Sequence, residues 1–298
     1  MRYAMDGHIK PREAMYYEKR EDGAVQCHLC PHDCIIAPGK KGFCGVRKNA
    51  DGMLKTLNYG LVSSLALDPI EKKPLRRFYP GSMILSAGSV GCNLACPFCQ
   101  NHTIARAEPE EVQTTFMPSE DLVEHASALQ VRGNIGIAYT YNEPSIWYEY
   151  VLETARLARG RGLKNVLVTN GYISKEPLEE LLPFVDAMNI DLKAFDGPFY
   201  KNIVKAGLAE VKETIALAAK SCHVEVTTLV IPSLNDSIEQ TKKMARWLSC
   251  ISPDMPLHLS RFFPKYQMQD KQPTPRHTLN ELAFAAREYL NNVYIGNV

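Results

Sequence analysis

From about residue 130 onward the chain alternates between two hydrophobic patterns. Short runs rich in β-branched and other apolar residues at 135–139, 166–169, 187–191, 224–230 and 257–260 predict strands. Stretches at 147–159, 178–184, 211–219 and 238–248 repeat apolar positions at helical spacing and predict helices. One further run, 83–86, predicts a strand ahead of this series. Strands alternating with helices imply βα units around a parallel sheet. Six such units suit an α/β fold of the partial (β/α)6 TIM-type barrel kind, here spanning residues 81–298, with residues 279–290 as a C-terminal amphipathic helix. Residues 1–80 read differently. They hold strand-like runs around 54–65 and loops at Pro38-Gly39, Gly42 and Gly45, which predicts a small cysteine-rich N-terminal module. Residues 265–276 are polar and Pro-containing and predict a loop over the barrel mouth.

Composition narrows the class. The 298 residues are 45% hydrophobic and 22% charged, near the averages for a globular protein able to bury a full core. The 34 Lys+Arg against 33 Asp+Glu give a net charge of +1, so nucleic acid and anionic membrane surfaces are not expected partners. No apolar run approaches the ~18 residues needed to span a bilayer. Residues 1–20 lack the apolar centre of a secretory signal, so a cytoplasmic location is expected.

Of nine cysteines, seven fall into two groups: Cys27, Cys30, Cys34 and Cys44, then Cys92, Cys96 and Cys99. Clustered cysteines in a reducing compartment point to metal ligation more than to disulfides. In the second group, three thiolates within eight residues follow a strand and can converge on one centre if the loop wraps around it. Gly88 and Gly91 are expected to supply the backbone freedom for that wrap. Thiolates select zinc, copper(I) or iron–sulfur clusters. Zinc would want a fourth ligand, for which His102 is the nearest candidate; a cubane held by three cysteines would leave one iron open. The first group offers four thiolates within eighteen residues, enough for a second [4Fe–4S] cluster or a zinc ion, with His28 and His32 as nearby competitors. Cys222 and Cys250 are expected to be buried apolar residues.

The spacing Cys92-x3-Cys96-x2-Cys99, with Phe98 before the last cysteine, resembles the cluster motif of the radical S-adenosylmethionine (SAM) superfamily. The resemblance implies a [4Fe–4S] cluster whose open iron is chelated by the amino and carboxylate groups of SAM. One electron from a low-potential donor, such as reduced flavodoxin or ferredoxin, would cleave the sulfonium. The resulting 5′-deoxyadenosyl radical would abstract hydrogen from a substrate. Over nearly the whole chain the likeness is to the AmmeMemoRadiSam-system radical SAM proteins, relatives of pyruvate formate-lyase activating enzyme. Cys27-His-Leu-Cys30-Pro-His-Asp-Cys34, Gly42-Phe-Cys44-Gly45-Val-Arg47 and Ser260-Arg-Phe262 carry that likeness. Phe263 stands where a histidine would be expected, which removes a histidine contact to substrate.

Thr140-Tyr141-Asn142-Glu143-Pro144 resembles the family's Gly-Gly-Glu-Pro segment, which would set Asn142 and Glu143 at the SAM ammonium. Read from the residues alone, Glu143 equally suits the N-terminus of a helix. Thr169-Asn170-Gly171 and Asp191-Leu192-Lys193 resemble paired segments of the activating enzymes, implying SAM contacts from Asp191 and Lys193 beside Thr169 and Asn170. A simple ion pair between Asp191 and Lys193 is the plainer reading. Val168 replaces an acid that helps hold a cation in those enzymes, so a monovalent-cation site is doubtful here. Residues 230–236 resemble a segment that contacts adenine, and also suit an ordinary Asn-Asp turn.

The expected function is therefore a radical SAM oxidoreductase, in one version a glycyl-radical activase acting on a partner protein. A peptide or small-molecule modifying enzyme is the alternative, and a zinc-stabilised interaction module is the alternative of another class. Nothing in the residues names the substrate.

Overall fold

The structure, a computed structural model, describes residues 11–298; the first ten, part of the N-terminal stretch considered above, lie outside the described residues. Eight strands form one large sheet: β1 (Ser64–Pro69), β2 (Met83–Gly88), β3 (Asn134–Tyr139), β4 (Lys164–Thr169), β5 (Ala187–Asp191), β6 (His223–Val230), β7 (Leu257–Arg261) and β8 (Val293–Gly296). They lie side by side in chain order. β1 is antiparallel to β2, and every later neighbour pair is parallel.

Parallel neighbours need crossover connections. These are α1 (Ser119–Ala128), α2 (Tyr148–Gly160), α3 (Lys175–Leu181), α4 (Leu208–Ala218), α5 (Ile238–Ile251) and α6 (Arg276–Ala286). The six βα units expected from the periodicity are present, closing a partial TIM-type barrel. The sequence does not signal three elements: α1, with only a short apolar stripe at Leu122, Val123 and Ala126, the antiparallel β1, and the last strand β8. The 54–65 run divides into a strand at Met53–Thr56 and the start of β1, with Gly60 at φ +71° between them.

Alternating strand residues face opposite ways. Leu85, Ile137, Tyr139, Leu167, Met188 and Ile190 join the helices in the main core. Ile84, Ala138, Val166 and Ala187 instead meet Ile70, Leu75 and Phe78 in a second cluster. Residues 70–78 thus enter the barrel and plug it. The plug is pinned by Asn189 Nδ2 donating to the Pro74 carbonyl at 2.8 Å. Deeper in, the Arg76 and Arg77 amides donate to Glu225 at 3.0 and 2.7 Å, and His223 and His258 reach the same carboxylate at 2.9 and 2.6 Å. The large sheet begins at Ser64 and the plug follows it, so the barrel starts ahead of the boundary at residue 80 expected from sequence.

The cysteine-rich N-terminal region holds two small antiparallel sheets, one from Tyr17–Lys19, Val25–Cys27 and Cys34–Ile36, the other from Arg12–Glu13, Met53–Thr56 and Arg47–Ala50. It docks on α2 through a buried ion pair between Arg47 and Glu149. Trp147 Nε1 adds a bond to the Asn58 carbonyl at 2.8 Å. Among the described residues no helix is long and apolar enough to cross a membrane. Cys222 is half-buried, and Cys250 is exposed, contrary to the expected burial. Cys250 falls off the buried stripe of α5, which runs through Thr241, Met244, Ala245 and Leu248.

Candidate active site

A cavity of about 360 Å3 opens at the C-terminal ends of the strands. Cys92, Cys96, Cys99, Asn142, Glu143, Thr169, Asn170, Asp191 and Lys193 all line it, so one space gathers both the second cysteine group and every expected SAM contact. Strand ends on this face of a barrel are where ligands bind in such folds.

The cysteine loop leaves β2 through Gly88, where an added Cβ would stand 2.8 Å from the Thr140 carbonyl oxygen. Glycine is required there for close approach; only Gly91, at φ +93°, needs left-handed freedom. Asn142 ties the loop to β3: its Oδ1 accepts from the Ser89 amide at 2.8 Å and its Nδ2 donates to the Gly91 carbonyl at 3.1 Å. Residues 262–275 lie against the loop from outside, with the Gln267 amide donating to the Pro97 carbonyl at 3.0 Å. His102 stacks on Tyr266 with ring centres 4.5 Å apart, and its Nδ1 lies 3.3 Å from the Cys99 carbonyl. It is therefore committed elsewhere and does not line the cavity as a fourth ligand.

Burial pushes all three thiols up, Cys96 to about 12, so ligation must displace their protons. Donors wait on the sulfur of Cys92: the Leu94 amide at 3.3 Å and Asn170 Nδ2 at 3.7 Å. Among the described residues no three His, Cys, Asp or Glu side chains close on a single-ion site. Three soft ligands around an open space, without a fourth, fit a three-cysteine cluster better than structural zinc.

Glu143 is 2% exposed. Its Oε1 accepts from the Thr169 hydroxyl at 2.7 Å and the Ser145 amide at 2.9 Å, and its Oε2 from the Asn170 amide at 2.8 Å. The Ser145 bond makes it the cap of the short helix Pro144–Trp147, as the residue-level reading had it. Burial raises its pKa, only partly offset by these hydrogen bonds. A carboxylate offers about four acceptor positions, and three are filled. No Lys, Arg or His among the described residues forms an ion pair with it, so a buried charge faces the cavity without a cation. An ammonium group fits that vacancy of charge.

Asp191 and Lys193 pair directly, Oδ2 to Nζ at 2.5 Å. Burial alone would lower the lysine's pKa, but Asp191 and the Cys96 thiol outweigh it, so it stays charged. The segment after β6 closes against this pair: Asn235 Nδ2 donates to the Lys193 carbonyl at 2.6 Å. Val168 lines the cavity where the activating enzymes carry an acid. Phe263 lies outside it beneath Arg261, at 4.8 Å from the guanidinium.

The sequence gives no warning of a further group at the cavity floor. Lys73, brought in by the plug, pairs with Asp68 at 2.8 Å and lies 4.5 Å from the centre of the Tyr141 ring, whose hydroxyl donates to Asp68 at 2.7 Å. Nothing in the run Glu71-Lys72-Lys73 marks the second lysine as buried.

Comparison with known proteins agrees with this geometry. The family model for the Radical SAM superfamily matches residues 87–247. The uncharacterized protein MJ0808 of Methanocaldococcus jannaschii is 48% identical over 292 residues, covering 96% of this chain and 85% of that one. The pyruvate formate-lyase-activating enzyme of Clostridium pasteurianum is 25% identical over 160 residues, covering 52% of this chain and 65% of that one. In fold, a radical SAM methyltransferase from Sphaerobacter thermophilus superposes with a TM-score of 0.57 at 17% identity, over 73% of this chain and 67% of that one. With the cysteine loop, the cavity and the partial barrel in the arrangement such a family requires, the chain belongs to the radical SAM superfamily.

Proposed function

We propose that Cys92, Cys96 and Cys99 hold a [4Fe–4S] cluster and that the adjoining cavity binds SAM for hydrogen abstraction. When bound, the cluster supplies the electron that splits SAM into methionine and a 5′-deoxyadenosyl radical. The observation that carries this reading is the unpaired, buried carboxylate of Glu143 in the same cavity as the three thiols. Glu143 accepts the SAM ammonium, and Thr169 and Asn170 hold its carboxylate in place. Lys193, held charged by Asp191, offers a cation to anionic or polar groups of SAM. Asn142 fixes the loop, and residues 262–275 cover it and exclude water.

The hydrogen comes from a protein or peptide substrate in a reaction like that of glycyl-radical activases. The relatedness to an activating enzyme supports this choice over a small molecule. The test is anaerobic reconstitution with iron and sulfide, reduction by dithionite, and measurement of 5′-deoxyadenosine. Wild type should form it; a Cys92→Ala/Cys96→Ala/Cys99→Ala variant that still did so would overturn the proposal.

A further inference from the structure

The first cysteine group lies outside the matched family segment and outside the SAM cavity. Cys27 and Cys34 face each other across adjacent antiparallel strands. Cys30 stands in the turn between them, and Cys44 comes from the return loop, where Gly45 takes φ +76°. All four line one small cavity walled by Leu29, Ile36 and Phe43. Arg47 reaches it too, with Nη1 3.6 Å from the Cys27 sulfur. The side chain is 1% exposed, and its Nε has no hydrogen-bond partner. A buried guanidinium directed at a sulfur favours the thiolate form that metal ligation needs.

We propose that Cys27, Cys30, Cys34 and Cys44 hold a second iron–sulfur cluster that feeds electrons to the first. Four protein ligands leave no open iron, so this centre does not bind SAM. As at Cys92, Cys96 and Cys99, the sulfurs surround a space and do not close on one point, which suits a cubane more than a zinc ion.

Its placement gives it the role. His32 lines the four-cysteine cavity, and its Nε2 lies 2.7 Å from the carbonyl of Asn93, the residue after Cys92. Asn93 Oδ1 accepts from Asn170 Nδ2 at 2.8 Å, and the same amide reaches the Cys92 sulfur at 3.7 Å. On the other side, an added Cβ at Gly91 would stand 2.9 Å from the Cys44 carbonyl, so the two cysteine loops are packed back to back. Phe43, 40% exposed, forms an outer rim through which a donor protein gains access. One electron from a reduced flavodoxin or ferredoxin reduces the second cluster. That cluster is reoxidised as the same electron passes inward, a role that rests on the function proposed above.

Metal content separates the two readings. Wild type should carry about eight irons per chain after anaerobic reconstitution, and the Cys92/Cys96/Cys99→Ala variant about four, with matching sulfide. The latter leaves the N-terminal residues untouched, so the test does not depend on a four-cysteine variant folding. Its remaining cluster should be reduced by flavodoxin and give an electron paramagnetic resonance signal without any SAM cleavage. Absence of iron from that variant, one zinc in place of four irons, or a cluster that the donor cannot reduce would each overturn the proposal. If instead the Cys27/Cys30/Cys34/Cys44→Ser variant binds no iron while the first variant keeps four, the second cluster stands and the catalytic assignment fails.

Discussion

Replacing Glu143 with Gln separates its two roles. Three donors converge on the carboxylate, from Ser145 and Thr169 on one oxygen and from Asn170 on the other. An amide has one oxygen, so its NH2 group must face a backbone N–H whichever way it turns. One buried donor is then unsatisfied, which costs about 1–3 kcal/mol. The neutral amide also relieves the desolvation that raises the glutamate's pKa, so the net loss of stability should lie near the lower end, about 1 kcal/mol. Losing a hydrogen bond between carboxylate and ammonium costs about 1.5–3 kcal/mol, roughly ten- to a hundredfold in SAM affinity. Equilibrium dialysis of SAM on anaerobically reconstituted protein measures the second quantity, and urea unfolding the first. Affinity should fall by at least tenfold while the unfolding midpoint moves little. Unchanged affinity with lowered stability would refute the assignment and leave Glu143 as the cap of Pro144–Trp147 alone.

Lys193→Ala should likewise weaken SAM binding, by roughly tenfold, and should expose Asp191 as an uncompensated charge; dialysis on this variant checks it. Gly91→Ala forces a side chain into the left-handed region and toward the Cys44 carbonyl, so it should lower stability by more than about 1 kcal/mol and reduce iron uptake, both measurable on one preparation. At Glu225, burial would raise the pKa, but hydrogen bonds from His223, His258 and the Arg76 and Arg77 amides outweigh it and hold the value at about 2, below the ordinary 4.5. A depressed folded value stabilises above pH 4.5 and is lost as pH falls toward 2, by about 3 kcal/mol in all. The stability advantage of wild type over Glu225→Gln in denaturant titrations should therefore shrink across that window, and a constant difference would count against it.

The strands from β3 to β7 were legible because they are buried on both faces and read as continuous apolar runs between helical periods. The second cysteine group was legible for a local reason: its three ligands lie within one short loop. Contacts made by distant segments left no such trace. Lys73 and Asp68 look like surface charges until β1 and the plug carry them beneath Tyr141. Asn93 reads as an ordinary loop residue, though it bonds to His32 on one side and Asn170 on the other. Cys250 misled in the opposite direction, because an apolar residue type was given more weight than its position on α5. Glu143 fitted both readings because it caps a helix and faces the cavity at once.

The plug at residues 70–78 divides the labour of this barrel in an unusual way. Strand ends and the cysteine loop fix the chemistry at the upper face, while the depth available below is set by a separate stretch of chain whose backbone is tied to Asn189 and Glu225. Reaction chamber and reagent holder are thus independently adjustable: side chains of the stopper can be trimmed or enlarged without displacing any strand. Lys73 rides on that stopper, so the charge at the bottom of the chamber changes with it. A lineage could in this way remodel what it acts upon while leaving the radical-generating apparatus above unaltered.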